Sequence, residues 1–412
     1  MPASPPLGKP FFTSALHAAA RAFPLSARGR QGDNDGVSSH DTPAPDSADA
    51  ATLAKLTVLL QEGHSLDEYQ AADAAVALAR ESASVESKTK FLRELTSSNE
   101  DDSFFVLGAF AIVFLAHARN PGVGEWADKA IDVCGTGGDH SGSYNISTTV
   151  AFILAAEGIP VFKHGNRSIT SKSGSADFLS ANGIPLEAPD GVWQNALREL
   201  NFAFFFAPAY HPAFKHVSAS RKILAAEGCR TIFNLLGPLL NPGRPAYQLI
   251  GVSKQNYLQQ LALGIQFLRQ KTPNPLPTRR GLIVHGQLSG PDGLDEMSVI
   301  GNNLAIWVGE PWNKGRICTW NAVDAGLQPG NLSDLAGGDA QFNLTLLDAL
   351  LGDRAPKGLR DTVYLNAGAA LWVAERVNDL KSGVAEARRL LTTGPVRDWL
   401  KRTREFFQDH KA

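Results

Sequence analysis

The sequence predicts an α/β protein: a small all-helical unit followed by a larger α/β unit with a mostly parallel central sheet. Three observations carry this. The chain has 412 residues, more than one compact core usually organises, so two structural units are expected. From Ala51 to about Arg119, apolar residues such as Leu53, Leu56, Leu59 and Leu60 recur at helical spacing with no strand signal between them. After the turn at Pro121 to Gly124, short apolar runs alternate with glycine turns and helical stretches, the pattern of a parallel sheet covered by helices.

In chain order, residues 1–50 stand apart. Pro2, Pro5, Pro6 and Pro10 crowd the start, and Ser38 to Ala50 is polar and dotted with proline. Such a segment buries too little apolar surface to offset its ordering entropy, so a disordered extension is expected. Lys9, Arg21, Arg28 and Arg30 precede the first acid, Asp33, as in an organelle transit peptide, which would place the protein in a plastid. A disordered tail or a start codon assigned too early is the favoured alternative, with a cytoplasmic location. Residues 51–122 form the helical unit, in which Ser65 and Glu68 have the spacing of a capping box; about 208–235 is expected to join it.

The rest, 123–412, is the α/β unit. Ala130 to Cys134 reads as a strand ending in a glycine loop, Ser147 to Glu157 as a helix stopped by Gly158 and Pro160, Ile159 to Lys163 as a second strand, and Ala176 to Ala181 as a helix closed by Gly183. Ala246 to Val252 and Gly281 to His285 are strand-like, while Leu344 to Leu351, Ala367 to Arg376 and Val384 to Leu391 are helical. Phe104 to Ala116 and Phe202 to Pro208 are the longest apolar stretches. Both fall short of the roughly 20 residues that span a bilayer, so they read as buried core and no membrane partner is expected.

Composition narrows the function. Thirty-nine Lys and Arg balance 41 Asp and Glu, for a net charge of −2, which argues against non-specific binding to nucleic acid while leaving room for a local basic pocket. Cys134, Cys229 and Cys318 are too few and too scattered for a disulfide framework or a zinc site.

Four motifs carry chemistry. Gly135-Thr136-Gly137-Gly138-Asp139 follows the first strand, and Asn145-Ile146-Ser147-Thr148 opens the next helix. Glycines let backbone amides approach an anion, and the helix start adds partial positive charge; a tight structural turn with an ordinary cap is the competing explanation. No Gly-Lys-Ser/Thr closes a P-loop, and His140 stands where a dinucleotide fingerprint needs its third glycine. Lys163-His164-Gly165-Asn166-Arg167-Ser168, continuing through Ser171 and Ser175 to Asp177, gathers cations and hydroxyls at a strand end, where open α/β sheets bind ligands. That suits a polyanion with several phosphates. Asp292-Gly293-Leu294-Asp295-Glu296 offers adjacent carboxylates for a hard cation such as Mg²⁺. Tyr210-His211-Pro212-Ala213-Phe214-Lys215-His216 with Arg221 suits a flat organic acid, since guanidinium pairs with carboxylate; His211 reads equally as a packed turn residue. Cys134, with no base at a motif-like position, reads as a small filler.

Taken together and in order, GTGGD, NIST, KHGNRSITSKSGSAD, YHPAFKHV, RTIFNLLGPLLNP, GLDE and LNAGAALWVAE resemble the anthranilate phosphoribosyltransferase family from about Leu53 to the C-terminus. The resemblance implies the nucleoside phosphorylase/phosphoribosyltransferase-like arrangement, with a site in the hinge between the units and a homodimer. It implies transfer of phosphoribosyl from phosphoribosyl pyrophosphate to anthranilate, in tryptophan synthesis. The donor would meet Gly135, Gly138, Asp139, Ser143, Asn145, Ile146, Ser147, Thr148, Lys163, His164, Gly165, Asn166, Arg167, Ser171 and Ser175. Anthranilate would meet Gly135, Asn166 and Arg221. Ser147, Asp295 and Glu296 would hold Mg²⁺, Lys163 would offset the departing charge, and His164 is the candidate base.

This chain departs from the family pattern at four places. His140 replaces a glycine, Ser143 a more common threonine, and Thr96 to Glu100 a frequent Lys-Gly; Lys222 to Cys229 lengthens the path from Arg221 to Arg230 by about three residues. Two other readings compete. A pyrimidine-nucleoside phosphorylase is disfavoured because inorganic phosphate needs neither a long cradle nor Mg²⁺. A nucleic-acid-binding paralogue of the same fold would need a broad basic surface.

Overall fold

The computed structural model describes residues 47–167, 172–271, 278–290, 292–310 and 315–410; the N-terminal extension through residue 46 and Ser171 lie outside them. Four helices come first: α1 (Ala48–Gln61), α2 (Glu68–Ala79), α3 (Val85–Ser97) and α4 (Phe104–Ala116). Ser47 caps α1 by accepting the Ala50 amide at 3.2 Å. Helix α4 is apolar on all sides, because Val106 to Leu115 are all buried among the others.

The capping box of α2 sits two residues later than expected. Asp67, not Ser65, accepts the amides of Tyr69 and Gln70 at 2.9 and 2.8 Å, and Gln70 Oε1 accepts the Asp67 amide in return. Glu68 becomes the first helical residue, where an acid suits the helix dipole, and its carboxylate pairs with Lys271 at 2.9 Å.

Strands and helices then follow: β1 (Ile131–Gly135), α5 (Ile146–Ala156), β2 (Val161–Gly165), α6 (Ser175–Ala181), α7 (Asp190–Leu200), β3 (Phe202–Phe206), α8 (Ser218–Ala226), β4 (Tyr247–Gly251), α9 (Tyr257–Lys271), β5 (Arg280–Gly286), β6 (Asn303–Gly309) and β7 (Cys318–Trp320). Four helices close the chain: α10 (Ala340–Leu351), α11 (Lys357–Val373), α12 (Leu380–Thr392) and α13 (Pro395–Asp409). The sheet order is β3-β2-β1-β4-β5-β6-β7. The first five strands are parallel; β6 pairs antiparallel with β5, and β7 antiparallel with β6. Helix α11 begins ten residues earlier than the sequence reading placed it, since Leu359 and Val363 extend its buried face.

Residues along a strand point alternately to opposite faces, and the sheet uses both. Val133, Leu249, Leu282, Val284 and Ala305 join one apolar cluster with α5, α11, α12 and α13. Ile250, Ile283, Leu304, Ile306 and Val308 join a second with the four N-terminal helices and α9. That second cluster also takes in Ala213, Val217, Leu224 and the stretch Ile232 to Leu240. Gly108 on α4 admits the Phe267 ring from α9, since a Cβ there would lie 2.3 Å from Phe267 Cδ1. Among the described residues, no helix is long and apolar enough to cross a membrane.

Candidate active site

The chain winds one way from β1 to β2 and β3, and the other way from β4 to β5, so β1 and β4 are neighbours at a topological switch point. Crevices at the carboxyl ends of such strands are ligand sites. There Gly135 of β1 stands opposite Gly251 of β4, and a third loop, 292–296, folds back over both. It is tied by the Gly293 amide on the Ser253 carbonyl at 2.9 Å and by Leu294 paired with Gly286. The two strand-end glycines make the approach possible. A Cβ on Gly251 would lie 1.5 Å from the Asp295 carbonyl oxygen, and one on Gly135 2.1 Å from Asp295 Oδ2.

This packing delivers carboxylates to the glycine loop. Asp295 Oδ2 accepts the Gly137 amide at 2.7 Å, and Glu296 Oε1 accepts the Ser147 amide in the first turn of α5 at 3.2 Å. Enclosure, followed by the nearby Asp139, raises the Asp295 carboxyl well above the ordinary carboxylate range. Enclosure and then Asp295 do the same to Glu296. Asp139 Oδ2 is buried without a hydrogen-bond partner. The adjacent carboxylates of Asp295 and Glu296, crowded by Asp139, suit a divalent cation that would relieve their mutual repulsion. Among the described residues no group of three or more His, Cys, Asp or Glu side chains is placed to hold a metal ion. A Mg²⁺ ion held by Asp295 and Glu296 would therefore take its other oxygens from water or phosphate.

Beside the acids, Lys163 is buried. Its ammonium donates to the Val133 carbonyl and to Ser147 Oγ. Asn145 occupies the N-cap position of α5, yet its side chain makes no cap bond. Its amide donates to the Ser173 carbonyl at 3.2 Å, and its Oδ1 accepts Asn343 Nδ2 at 2.8 Å. Thr148 Oγ1 is buried and unpartnered near the same helix start, whereas the Ile146 side chain lies in the core. Ser143 is partly exposed on the loop before it. A Cβ on Gly165 would meet Ser175 Oγ at 2.2 Å, so β2 passes directly under the start of α6.

The acceptor candidates form a row. His164 Nε2 lies 3.1 Å from His211 Nε2; the His211 ring meets Phe214 at 5.7 Å, and the Arg221 guanidinium lies over Phe214 at 5.7 Å and Phe233 at 5.4 Å. Burial, followed by the neighbouring His211, lowers His164 to about 3. Burial lowers His211 to about 4. Both rings are neutral at physiological pH. Arg221 has no carboxylate partner among the described residues, which leaves its charge for a ligand. Asn166 and Arg167 are exposed at the end of β2, with Arg167 3.3 Å from Asp177. Burial pushes the Cys134 thiol well above its usual range, as suits a filler.

Two departures from the family pattern have a plain backbone reason. His140 and Asn99 have φ values of 54° and 59°, the left-handed region where glycine is the default and His and Asn are tolerated. The lengthened segment continues α8 into a turn at Gly228, with Lys222, Ile223, Ala225, Ala226 and Glu227 exposed. Arg230, Asn343 and the buried pair Asp132–Asn241, bonded at 2.9 Å, escaped the sequence reading as members of the site. Of these, Arg230 and Asn241 alone fall within a family motif, RTIFNLLGPLLNP.

Fold and site together define a glycosyl-transferring α/β enzyme: a sequence profile of the glycosyl transferase family, a/b domain, matches residues 127–396. Anthranilate phosphoribosyltransferase from Halalkalibacterium halodurans is 37% identical over 349 residues, covering 84% of this chain and 96% of that one. The enzyme of that name from Xanthobacter autotrophicus is 43% identical over 276 residues, covering 66% and 74%. The crystal structure of anthranilate phosphoribosyltransferase from Thermus thermophilus superposes with a TM-score of 0.74 at 34% identity, covering 85% of this chain and 99% of that one. The Saccharomyces cerevisiae enzyme in complex with PRPP and Mg shares the fold, with a TM-score of 0.72 at 23% identity and coverage of 87% and 98%. The chain belongs to the anthranilate phosphoribosyltransferase family.

Proposed function

We propose that this chain transfers the phosphoribosyl group of phosphoribosyl pyrophosphate to the amine of anthranilate and releases pyrophosphate, in tryptophan synthesis. The observation that carries the reading is the seat of Asp295 and Glu296 on the amides of Gly137 and Ser147 at the switch point. Asp295 and Glu296 would hold a divalent cation there, beside backbone amides that suit a diphosphate.

Breaking the anomeric C–O bond leaves positive charge on the ribose and negative charge on pyrophosphate, so the chief task is to stabilise the departing anion. Mg²⁺ bound to Asp295 and Glu296, with Ser147 beside them, would supply charge neutralisation. Lys163 and the amides of Gly138, Asp139 and Thr148 add fixed donors, with Ser143, Asn145, Gly165 and Ser175 around the ribose and phosphates. On the other side Arg221 pairs with the anthranilate carboxylate, the rings of Phe214 and Phe233 hold its guanidinium in place, and Asn166 and Gly135 complete the pocket. Holding both substrates in line lowers the entropic barrier by about 7–11 kcal/mol at best. His164, neutral, accepts a hydrogen bond from the amine. The proton leaves after the C–N bond forms, when the nitrogen is strongly acidic, so a weak base suffices.

The enzyme acts as a homodimer in the cytoplasm on this reading. Exposed Val58, Tyr69 and Phe105 on the helical unit support the first, and a cysteine set too small and scattered for a disulfide framework supports the second; light scattering checks the dimer. The function is tested by following anthranilate fluorescence with donor and Mg²⁺ each present or withheld. Consumption should require both. Consumption without donor, or none with both, overturns the proposal, and phosphorolysis of thymidine would move the assignment to a nucleoside phosphorylase.

A further inference from the structure

Arg230 reaches the glycine loop at Gly138, one residue beyond the amide that Asp295 accepts. It follows the exposed turn at Gly228, and its backbone carbonyl accepts Thr96 Oγ1 from α3 at 3.1 Å. Thr96 Oγ1 also lies 3.1 Å from Asp101 Oδ2. Its guanidinium donates from Nη2 to the Gly138 carbonyl, while Nη1 lies 3.5 Å from Ser253 Oγ, just beyond β4. The side chain thus bridges the loops that leave both strands of the switch point, while the residue's backbone is tied to α3. Asp101, Thr136, Gly137, Asn234 and Tyr257 line the small crevice around it.

The geometry has a consequence for the loop. Gly137 and Gly138 have φ values of 71° and 74°, so the chain there has little intrinsic preference between orientations of its peptides. A peptide unit is planar and trans, so its C=O and N–H point in opposite directions. Turning the Gly138 carbonyl onto Arg230 therefore turns the Asp139 amide away from it. A Cβ on Gly138 would stand 2.3 Å from Nη2, so the guanidinium fits against this backbone only because residue 138 is glycine.

We propose that Arg230 is a positioning residue for the donor site: it fixes the Gly138–Asp139 peptide with its amide toward the ligand before the donor arrives, and links that setting to the helical unit through Thr96. This rests on the phosphoribosyl-transfer reading for the identity of the donor. A single ammonium cannot bridge Gly138 and Ser253 together, so lysine replaces arginine only in part.

The experiment compares wild type with Arg230→Met, Arg230→Lys and Ser253→Ala. Arg230→Met should raise the KM for phosphoribosyl pyrophosphate about 10- to 100-fold, the worth of one charge-assisted hydrogen bond. The KM for anthranilate should stay within about twofold. Arg230→Lys should fall between, and Ser253→Ala closer to wild type. Hydrogen exchange in residues 135–143 should speed up in Arg230→Met with the exchange of α11 unchanged. A donor KM within about threefold of wild type, both KM values rising equally, or unchanged exchange in the loop overturns the proposal. If Arg230→Met does not fold, Arg230→Lys and Ser253→Ala decide by the same readouts. Wild-type calorimetry with the donor and Mg²⁺ separates the two readings: binding without transfer to anthranilate defeats the functional assignment, and the Arg230 variants then report through donor affinity.

Discussion

Replacing Gly251 by alanine should disable the site while sparing the fold. Residue 251 ends β4 beneath the Asp295 backbone, and the added Cβ would stand 1.5 Å from the Asp295 carbonyl oxygen, 2.3 Å from its carbon and 3.1 Å from the Glu296 nitrogen. Real contacts of this kind do not come under 3.0 Å, so the loop must retreat by about 1.5 Å. Metal-ligand distances tolerate only about 0.2 Å, and a misplacement of about 1 Å at a reacting centre costs on the order of 100-fold. The expected result is a fall in kcat/KM of at least about 100-fold with a large rise in the Mg²⁺ needed for half-maximal rate. Overpacking of this type costs roughly 1–3 kcal/mol of stability, so the protein should remain folded at 25 °C. Gly191→Ala is the control: it lies in the first turn of α7 with nothing within 4 Å of the added atom, and should leave both rate and melting temperature near wild type. Rates for Gly251→Ala within about tenfold of wild type, in Mg²⁺ titrations of the fluorescence assay, would refute the claim that the carboxylate loop is seated by these glycines.

Three further outcomes are expected. Asp295→Ala combined with Glu296→Ala should abolish Mg²⁺-dependent turnover, and near-normal rates would remove the metal assignment. Arg221→Ala should raise the anthranilate KM by roughly 10- to 100-fold and leave the donor KM little changed; equal effects on both would deny it the carboxylate. Burial lifts the Asp132 carboxyl from 3.8 to about 6, so between those values the folded state keeps a proton that the unfolded chain releases. The resulting stabilisation, about 3 kcal/mol, is present below pH ~4 and is lost as pH rises through about 6. Asp132→Asn has no such proton, so its melting temperature should gain on wild type from pH 4 to pH 7, and parallel profiles would contradict this.

Much of the architecture was legible in local pattern. The switch from helical spacing to strand, glycine turn and helix gave β1, α5, β2 and α6 to within two residues. What pattern could not supply was pairing: β6 reverses direction against β5, and its run from Asn303 to Gly309 is buried throughout, which leaves no alternation to read. The capping box failed for a related reason, since Ser65 and Asp67 are both competent caps and only the start of α2 chooses between them. Motif chemistry located Gly135 to Asp139, Lys163 and Asp295–Glu296 because each needs a residue type at a fixed spacing. Asn343, about 200 residues beyond Asn145 in sequence yet 2.8 Å from it, belongs to no local pattern.

The lengthened end of α8 has a practical use. Its extra residues point into solvent while the next residues run straight to Arg230 and the glycine loop. A reporter group placed at Ala225 would therefore ride on the solvent side of α8, which packs against α3. Paired with a second label on α13, it offers a ruler between two distant helices of the chain in single molecules.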